Sequence, residues 1–261
     1  MPDQFSFTTH PKKITATGEL AWGGDDGWDN DIDVTNGVRV IDGSITPDTA
    51  PESGISRWGF NGDAVDQWGN NDAIVTNASF YSDAEHGTVV SFTQSEEEYV
   101  EVPDTTSLRP RSFSISGWFR CPDTTEKWEI IAAKEYWNNN EGWALILTTG
   151  NDHTVEFIGP DITASTTEVN VVDGSWHHAI GTYDDTENVT RLFHNGSEVA
   201  MNTGVSLTHT TLPFHSGVRN DNTGDGLTDY STIDVNDLRF YKKPVSATEA
   251  SNIYTTGSIH G

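Results

Sequence analysis

Short stretches of alternating apolar and polar residues recur along the chain from about Ile55 onward. In the clearest stretch, Phe113, Ile115 and Phe119 alternate with polar residues and with Trp118, a period of two that is typical of a half-buried β-strand. The pattern predicts strands at Ile55–Phe60, Thr88–Phe92, Tyr99–Val102, Phe113–Arg120, Glu129–Ala133, Trp143–Thr148, Thr154–Ile158, Glu168–Val172, His177–Tyr183, Thr190–His194, Glu198–Met201 and Val235–Tyr241.

Turn signals separate these strands. Asn195-Gly196 between two of them indicates a two-residue hairpin, and similar breaks recur about every 8–12 residues. This spacing favours an antiparallel sandwich or barrel over parallel α/β units. One helix is predicted near the end of the sequence, where Ser246 and Glu249 form a capping box ahead of Ala250 and Ile253.

Residues 1–50 have a different pattern, with few large aliphatic residues and an acidic stretch rich in Gly and Trp over 21–29. Val38–Ile41 and Ser44-Ile45, separated by Asp42-Gly43, predict one short hairpin. Such a segment is too poor in apolar residues to form its own core. We therefore expect 1–50 to be an N-terminal arm for anchoring or oligomerisation, and 51–261 to be the main domain.

The composition fits a folded domain with an acidic surface. Of 261 residues, 40 are acidic and 14 basic, which gives a net charge of −26. The nine Trp residues and 10% aromatic content argue against a disordered acidic chain. This charge argues against binding nucleic acid or an anionic membrane. No apolar run approaches the ~20 residues of a membrane span, and no signal peptide is predicted at the start. Cys121 is the single cysteine of the sequence, which excludes an intrachain disulfide and a Cys-based metal site.

The acidic residues are spread evenly and Lys is scarce. Self-repulsion of this size weakens a compact state in dilute salt, whereas near 1 M salt the Debye length is about 3 Å and the repulsion is screened. The composition resembles that of proteins from extreme halophiles, especially haloarchaea and their viruses. The alternative is an ordinary acidic secreted protein.

Several strings, in order, resemble the laminin-G-like family of concanavalin-A-type jelly rolls. They are Trp58–Gly62, Val89–Phe92, Glu98–Pro103, Ser112–Phe119, Trp176–Asp184, Leu192–Gly196, Asp237–Tyr241 and Val245–Glu249. The resemblance covers about 55–257. It implies an all-β fold, a two-sheet antiparallel β-sandwich with a short C-terminal helix, and a lectin-like function.

Hydrolases related to this fold carry paired acidic residues on one strand, with their carboxylates about 5–9.5 Å apart. The nearest candidates are Glu96, Glu97, Glu98 and Glu101, but Tyr99 occupies the position where an alternating acid is needed. We therefore expect a solvated acidic face and no enzymatic activity. His177 and His178 are adjacent on a strand, so they point to opposite faces and are expected to be structural.

Two calcium sites are candidates. Asp221, Asp225 and Asp229 place oxygen ligands at spaced positions around a glycine-containing loop, although the loop departs from the EF-hand pattern at the twelfth position. The alternative is a solvated hairpin loop. The family resemblance implies a second site at the rim of the sandwich, at Asn61, Asp63 and Asn236. There Asn236 replaces the family's Asp.

A ligand-binding loop is predicted at Tyr136, Trp137, Asn138, Asn139 and Asn140, between two strands. An aromatic face can stack on a sugar ring while amides bind its hydroxyls. The alternative is a Trp packed into its own loop.

Together these features predict a non-enzymatic virion surface protein of a halophilic archaeal virus, of the turret, decoration or tail-fibre type. Its sandwich would recognise a host surface glycan or S-layer glycoprotein, and its arm would bind other virion proteins. By analogy we expect a homo-oligomer, with a trimer favoured. A cellular halophile adhesin or carbohydrate-binding module, located outside the cell or at its surface, is the alternative, followed by a glycoside hydrolase.

Overall fold

The computed structural model describes Leu20–Ala21, Val38–Ile41, Ser44–Pro47 and residues 51–122, 128–148, 153–159, 162–165, 170–221 and 226–257. The chain divides into two compact units, Met1–Ala50 and Pro51–Gly261. In the first unit, β1 (Leu20–Ala21), β2 (Val38–Ile41) and β3 (Ser44–Pro47) form an antiparallel sheet in the order β1-β3-β2. β2 and β3 form the predicted hairpin. The anchoring role of this unit stays a prediction.

The second unit contains two large antiparallel sheets, which confirms the predicted all-β sandwich. The strands are β4 (Gly54–Trp58), β5 (Ile74–Thr76), β6 (Ser79–Asp83), β7 (Gly87–Phe92), β8 (Tyr99–Val102), β9 (Phe113–Arg120), β10 (Trp128–Tyr136), β11 (Glu141–Thr148), β12 (Thr154–Gly159), β13 (Ile162–Ser165), β14 (Trp176–Asp184), β15 (Val189–His194), β16 (Ser197–Thr203), β17 (Phe214–Ser216), β18 (Arg219–Asn220), β19 (Leu227–Thr228) and β20 (Ile233–Tyr241).

One sheet has seven strands in the order β13-β12-β11-β10-β17-β8-β5. The other has eight, in the order β16-β15-β14-β9-β20-β7-β6, with β4 also paired to β20. β18 and β19 pair only with each other among the described strands.

The core lies between the two sheets. Phe113 and Phe240 of the eight-stranded sheet face Trp143 of the seven-stranded sheet, and the Trp143 and Phe240 rings stack with centroids 5.8 Å apart. Gly181 of β14 leaves room for Phe157 of β12, because a Cβ at this position would lie 2.3 Å from the Phe157 ring. The two sheets therefore approach closely at the centre of the sandwich.

The predicted helix is present as α1 (Ala247–Thr256). The Ser246 hydroxyl accepts a hydrogen bond from the Glu249 amide and the Glu249 carboxylate accepts from the Ser246 amide, which confirms the capping box. Ala250 and Ile253 pack against a cluster on the outer face of the eight-stranded sheet that includes Ile180. The helix therefore covers one end of that face.

The strand predicted at Glu168–Val172 is wrong where the structure describes it. Residues 170–172 form a loop, and β13 (Ile162–Ser165) is the strand in this region. Val171 and Val172 are buried in the core, so their apolar character reflects burial and not strand pairing. Residues 166–169 lie outside the described part of the chain.

Candidate functional site

Four partly exposed rings form a row on the outer face of the eight-stranded sheet. We call Tyr254, Trp118, His86 and Trp176 the aromatic row. The ring centroids of Tyr254 and Trp118 lie 5.5 Å apart, and His86 lies 4.4 Å from both Trp118 and Trp176. Tyr254 lies on α1, so the row starts beside the part of the sheet that α1 covers.

Strand pairing explains why the row faces outward. Trp176 of β14 pairs with Arg120 of β9, which pairs with Asp234 of β20. Two residues further along β14, His178 pairs with Trp118 of β9. Because side chains two residues apart share a face, these residues lie opposite the core-facing positions of the same strands.

The turn after β6 brings His86 to the row. The Asp83 carboxylate accepts hydrogen bonds from the amides of Glu85 and His86, at 2.9 and 3.1 Å, and Gly87 at φ +67° returns the chain to β7. The same carboxylate accepts from the Trp176 indole at 3.2 Å. Asp83 thus fixes both His86 and Trp176.

Arg120 lies at the centre of an ionic network beside the row. Its guanidinium stacks 4.8 Å from the Trp176 ring and donates to Asp83 at 2.9 Å, to Asp234 at 2.9 and 3.1 Å, and to the Tyr81 hydroxyl. Tyr81 also donates to Asp234 at 2.7 Å. These contacts hold Trp176 in one orientation before any ligand binds.

The charges of this network follow from its environment. Burial raises the pKa of Tyr81, and its hydrogen bond to Asp234 raises it further, so the phenol stays protonated at neutral pH. Burial alone would raise the pKa of Asp83, but hydrogen bonds to the anion and the charge of Arg120 lower it overall. Burial lowers the pKa of His86.

A cleft of about 360 Å³ opens beside Arg120 at the end of the row. Its walls come from the ends of β7 and β9 and the start of β20, and they include Ser91, Thr93, Thr232 and Asp234. The cleft therefore places hydroxyl groups and a carboxylate next to the aromatic row.

No motif in the sequence marks this site, although one of its residues has an unusual position in the strand pattern. Trp118 occupies an outer-face position in the alternating pattern of β9, where the other residues are Ser114, Ser116 and Arg120. A large aromatic residue at such a position indicates a binding surface only when other exposed rings adjoin it, as they do here. Asp83 and His86 carried no comparable signal, because only the fold brings them to the two Trp residues.

The predicted ligand loop lies elsewhere, at the end of β10. Tyr136 is half-buried, Asn138, Asn139 and Asn140 are exposed, and the backbone of Trp137 begins a 3-10 helix (Trp137–Asn139). The side chain of Trp137 lies outside the described part of the structure. The structure thus leaves this loop a prediction.

The β18–β19 hairpin packs next to this loop. Arg219 donates to Glu135 at 3.2 Å and to Asp229 at 2.7 Å, while its guanidinium lies 4.3 Å from the Trp128 ring. Asn220 donates to the Glu135 carbonyl at 3.3 Å. Burial raises the pKa of Glu135 although Arg219 opposes this. Through Arg219, the fold therefore brings Asp229, one of the calcium candidates, close to the end of β10 that leads into the loop 136–140.

Both calcium candidates stay predictions. Asp229 is ion-paired with Arg219, and Asp225 lies outside the described residues. At the rim, Asn61 and Asp63 are exposed, and the Asn236 amide donates to the carbonyls of Gly59 and Thr88. Within the described part of the chain, no three His, Cys, Asp or Glu side chains converge as a metal site would require.

The acidic candidates for hydrolysis make structural contacts. Glu98 accepts from the Thr93 amide at 2.6 Å, and Glu101 lies 3.2 Å from the buried His215 ring. His177 stacks on core-facing Phe119, whereas His178 contacts the aromatic row, so the two histidines do face opposite sides.

The Concanavalin A-like lectin/glucanases superfamily matches residues 94–251 of the sequence. The chain belongs to this superfamily. The jelly-roll fold implied by the family resemblance is therefore confirmed. No curated protein matches the sequence.

Solved structures share the superfamily fold at low sequence identity. The binding domain of Paraclostridial Mosquitocidal Protein 1 is 14% identical with a TM-score of 0.64, over 79% of this chain and 52% of that one. Domain 4 of AbnA, a GH43 extracellular arabinanase from Geobacillus stearothermophilus solved with arabinotriose, is 16% identical with a TM-score of 0.61, over 78% and 100%. The botulinum neurotoxin serotype D binding domain is 15% identical with a TM-score of 0.60, over 77% and 51%.

This superfamily member spans about half the length of the two toxin chains. In the part of the chain that the structure describes, no helix has the length and apolarity to cross a membrane.

Proposed function

We propose that the sandwich is a non-enzymatic saccharide-recognition domain and that the aromatic row is its binding surface. The observation that carries this proposal is the fixed pair of outward-facing indoles, Trp118 and Trp176, on either side of His86. Aromatic faces stack on the apolar faces of sugar rings, and a rigid aromatic side chain loses little entropy on binding.

The surrounding groups suit the same ligand. The cleft supplies the hydroxyls of Thr93 and Thr232 and the carboxylate of Asp234, which can exchange hydrogen bonds with sugar hydroxyls. Sites of this kind combine an apolar surface with a few placed polar groups. Membership of a superfamily named for lectins and glucanases, and the structural likeness to a domain solved with arabinotriose, support the proposal.

A glycan array with matched Trp variants tests it. Trp176→Ala removes the ring that Asp83 and Arg120 hold, and should weaken binding at least about tenfold while the protein stays folded. Trp128→Ala is the control, because Trp128 is 40% exposed but lies on the other sheet. Trp137→Ala tests the loop prediction separately. Binding lost in Trp128→Ala or Trp137→Ala and kept in Trp176→Ala would contradict the aromatic-row proposal.

We also propose that the protein has no enzymatic activity. It is supported by the contacts of Glu98 with Thr93 and of Glu101 with His215, which give both carboxylates structural partners. Polysaccharides bound on the array should remain intact after prolonged incubation. Turnover that disappears in Glu98→Gln or Glu101→Gln would establish the glycoside hydrolase alternative.

We further propose that the protein acts at the virion surface of a haloarchaeal virus and binds a host glycan or S-layer glycoprotein. The net charge of −26 and the scarcity of Lys support the halophilic setting, and the small separate unit Met1–Ala50 supports an anchoring role. Imaging of purified particles should locate the protein on them. Recovery only from uninfected cell envelopes would favour the alternative of a cellular adhesin.

We also propose, as part of the same function, that the protein binds calcium and forms a homo-oligomer. Titration calorimetry with Ca²⁺ at high salt tests the sites at Asp221–Asp229 and at Asn61, Asp63 and Asn236, and an absence of heat would remove both. Sedimentation of the full chain should give a trimer, and a monomer would contradict that expectation.

A further inference from the structure

The cationic groups beside the aromatic row are already neutralised. Arg120 has five N–H donors, and its bonds to Asp83, Asp234 and Tyr81 use four of them. Two carboxylates thus surround one guanidinium, and Tyr81 is a neutral phenol. The network leaves no uncompensated positive charge to bind an anionic ligand.

The histidine in the row adds no cation at neutral pH. His86 packs between two indoles, and burial lowers its pKa. The charged groups that act on it are the carboxylates of Asp83, Glu85 and Asp237 and the guanidinium of Arg120. In a chain of net charge −26, an acidic ligand also meets a repulsive field.

One carboxylate oxygen in the cleft is left for a ligand. All three hydrogen bonds that Asp234 accepts from described residues end on Oδ2. Oδ1 is therefore the oxygen that can accept from a ligand hydroxyl within the cleft, where Thr93 and Thr232 add hydroxyl groups. An acidic group placed there would face a carboxylate instead of a donor.

The position of the cleft sets the direction of the ligand. Tyr254 on α1 forms one end of the row. Trp176 forms the other end, beside Arg120 and the cleft. The cleft has a volume of about 360 Å³, is half open to solvent and is lined mainly by strand ends. Because it lies at one end of the row, it suits the end of a saccharide chain, while the row supports the rings that follow.

We infer that the row and the cleft select a saccharide without acidic groups and bind it end-on, with its terminal ring in the cleft. This inference rests on the proposed saccharide-binding function. It names the chemical class of the ligand and assigns Asp234 as the residue that discriminates against acidic sugars.

The test compares matched ligands on the full-length protein. The first probe is a neutral hexose oligosaccharide, the second is the same oligosaccharide with its terminal ring oxidised to a uronic acid, and the third has the oxidised ring in the interior. We expect the terminal acid to weaken binding at least tenfold and the interior acid to weaken it less. Equal binding of the neutral and terminally acidic probes would overturn the inference.

Two variants assign the effect to the cleft. Asp234→Asn keeps the shape of the side chain and removes its charge, so the difference between the neutral and acidic probes should shrink. Thr93→Trp, at an exposed residue on the cleft wall, should fill the cleft and weaken the neutral probe at least tenfold. Circular dichroism confirms that each variant is folded. A difference unchanged in Asp234→Asn, or neutral binding unchanged in Thr93→Trp, would overturn the inference.

The outcome also separates this inference from the proposed function. Preferential binding of sialylated, sulfated or uronic glycans that is lost in Trp176→Ala would contradict the inference alone. Binding of no saccharide through Trp176 would contradict the proposed function as well.

Discussion

At the residue scale, His178 shows how burial without an acidic partner produces a pH-sensitive position. It is 2% exposed, packs on Trp118, and its Nδ1 finds no hydrogen-bond partner among the described residues. Burial, helped by the charge of Arg239, lowers the pKa of His178 to about 3. Burial likewise lowers the pKa of His194 to about 4. Both rings are neutral in the folded protein at pH 5.

This predicts a loss of stability on acidification. In the unfolded chain a His has a pKa of about 6.5, so between pH 6.5 and 3 the unfolded state binds the proton that folded His178 does not. The free energy of unfolding should therefore fall as the pH decreases, by about 2 kcal/mol for this group between pH 7 and pH 5.

Denaturant unfolding at both pH values measures the effect. His178→Gln should show a smaller pH dependence by about the same amount. His194, which both proteins retain, serves as the internal reference. An equal pH dependence in the two proteins would contradict the assignment.

At the scale of the elements, the approach of the two sheets at Gly181 leaves no room for a larger residue. A Cβ on Gly181 of β14 would lie 2.3 to 2.8 Å from three atoms of the Phe157 ring on β12. Overpacking of this kind costs about 1–3 kcal/mol. Gly181→Ala should therefore lower the free energy of unfolding by about that amount.

The double variant Gly181→Ala with Phe157→Leu distinguishes packing from other causes. If the ring and the added methyl compete for one space, the two costs should be less than additive, because contacting sites are coupled. Thermal unfolding of the two single variants and the double variant measures this. Strict additivity would show that Phe157 is not the obstacle.

The elements with a strong period and clear turns are those that the sequence predicts well. β9 and β14 alternate regularly, Asn195-Gly196 marks the β15–β16 hairpin, and Ser246 marks α1. β5 and β17 stay without a prediction because three residues carry too little periodicity.

The site was harder to predict than the fold. The Asp83 turn, the Arg120 network and the cleft join residues far apart in the sequence, such as Arg120 and Asp234, whose contact is a consequence of strand order. Among the residues of the site, Trp118 was the one whose position in the alternating pattern of β9 indicated that it lies on the outer face.

At the scale of the whole molecule, the charge balance sets the conditions under which the fold is stable. With 40 acidic and 14 basic residues, most carboxylates have no basic partner available, so like charges repel across the surface. At 1 M salt the Debye length is about 3 Å and this repulsion is largely screened.

We therefore expect the melting temperature to rise between 0.1 M and 2 M NaCl, and to rise similarly in KCl, because screening depends on ionic strength. Differential scanning calorimetry measures both series. A melting temperature that does not change with salt would contradict the halophilic interpretation.

The most direct test of saccharide binding on the aromatic row is a structure of the full-length protein with the saccharide that binds best on the glycan array. We expect sugar rings stacked on Trp118 and Trp176, with a terminal hydroxyl within hydrogen-bond distance of Asp234. A saccharide bound at 136–140, beside Arg219, or anywhere else that leaves the aromatic row empty would contradict it.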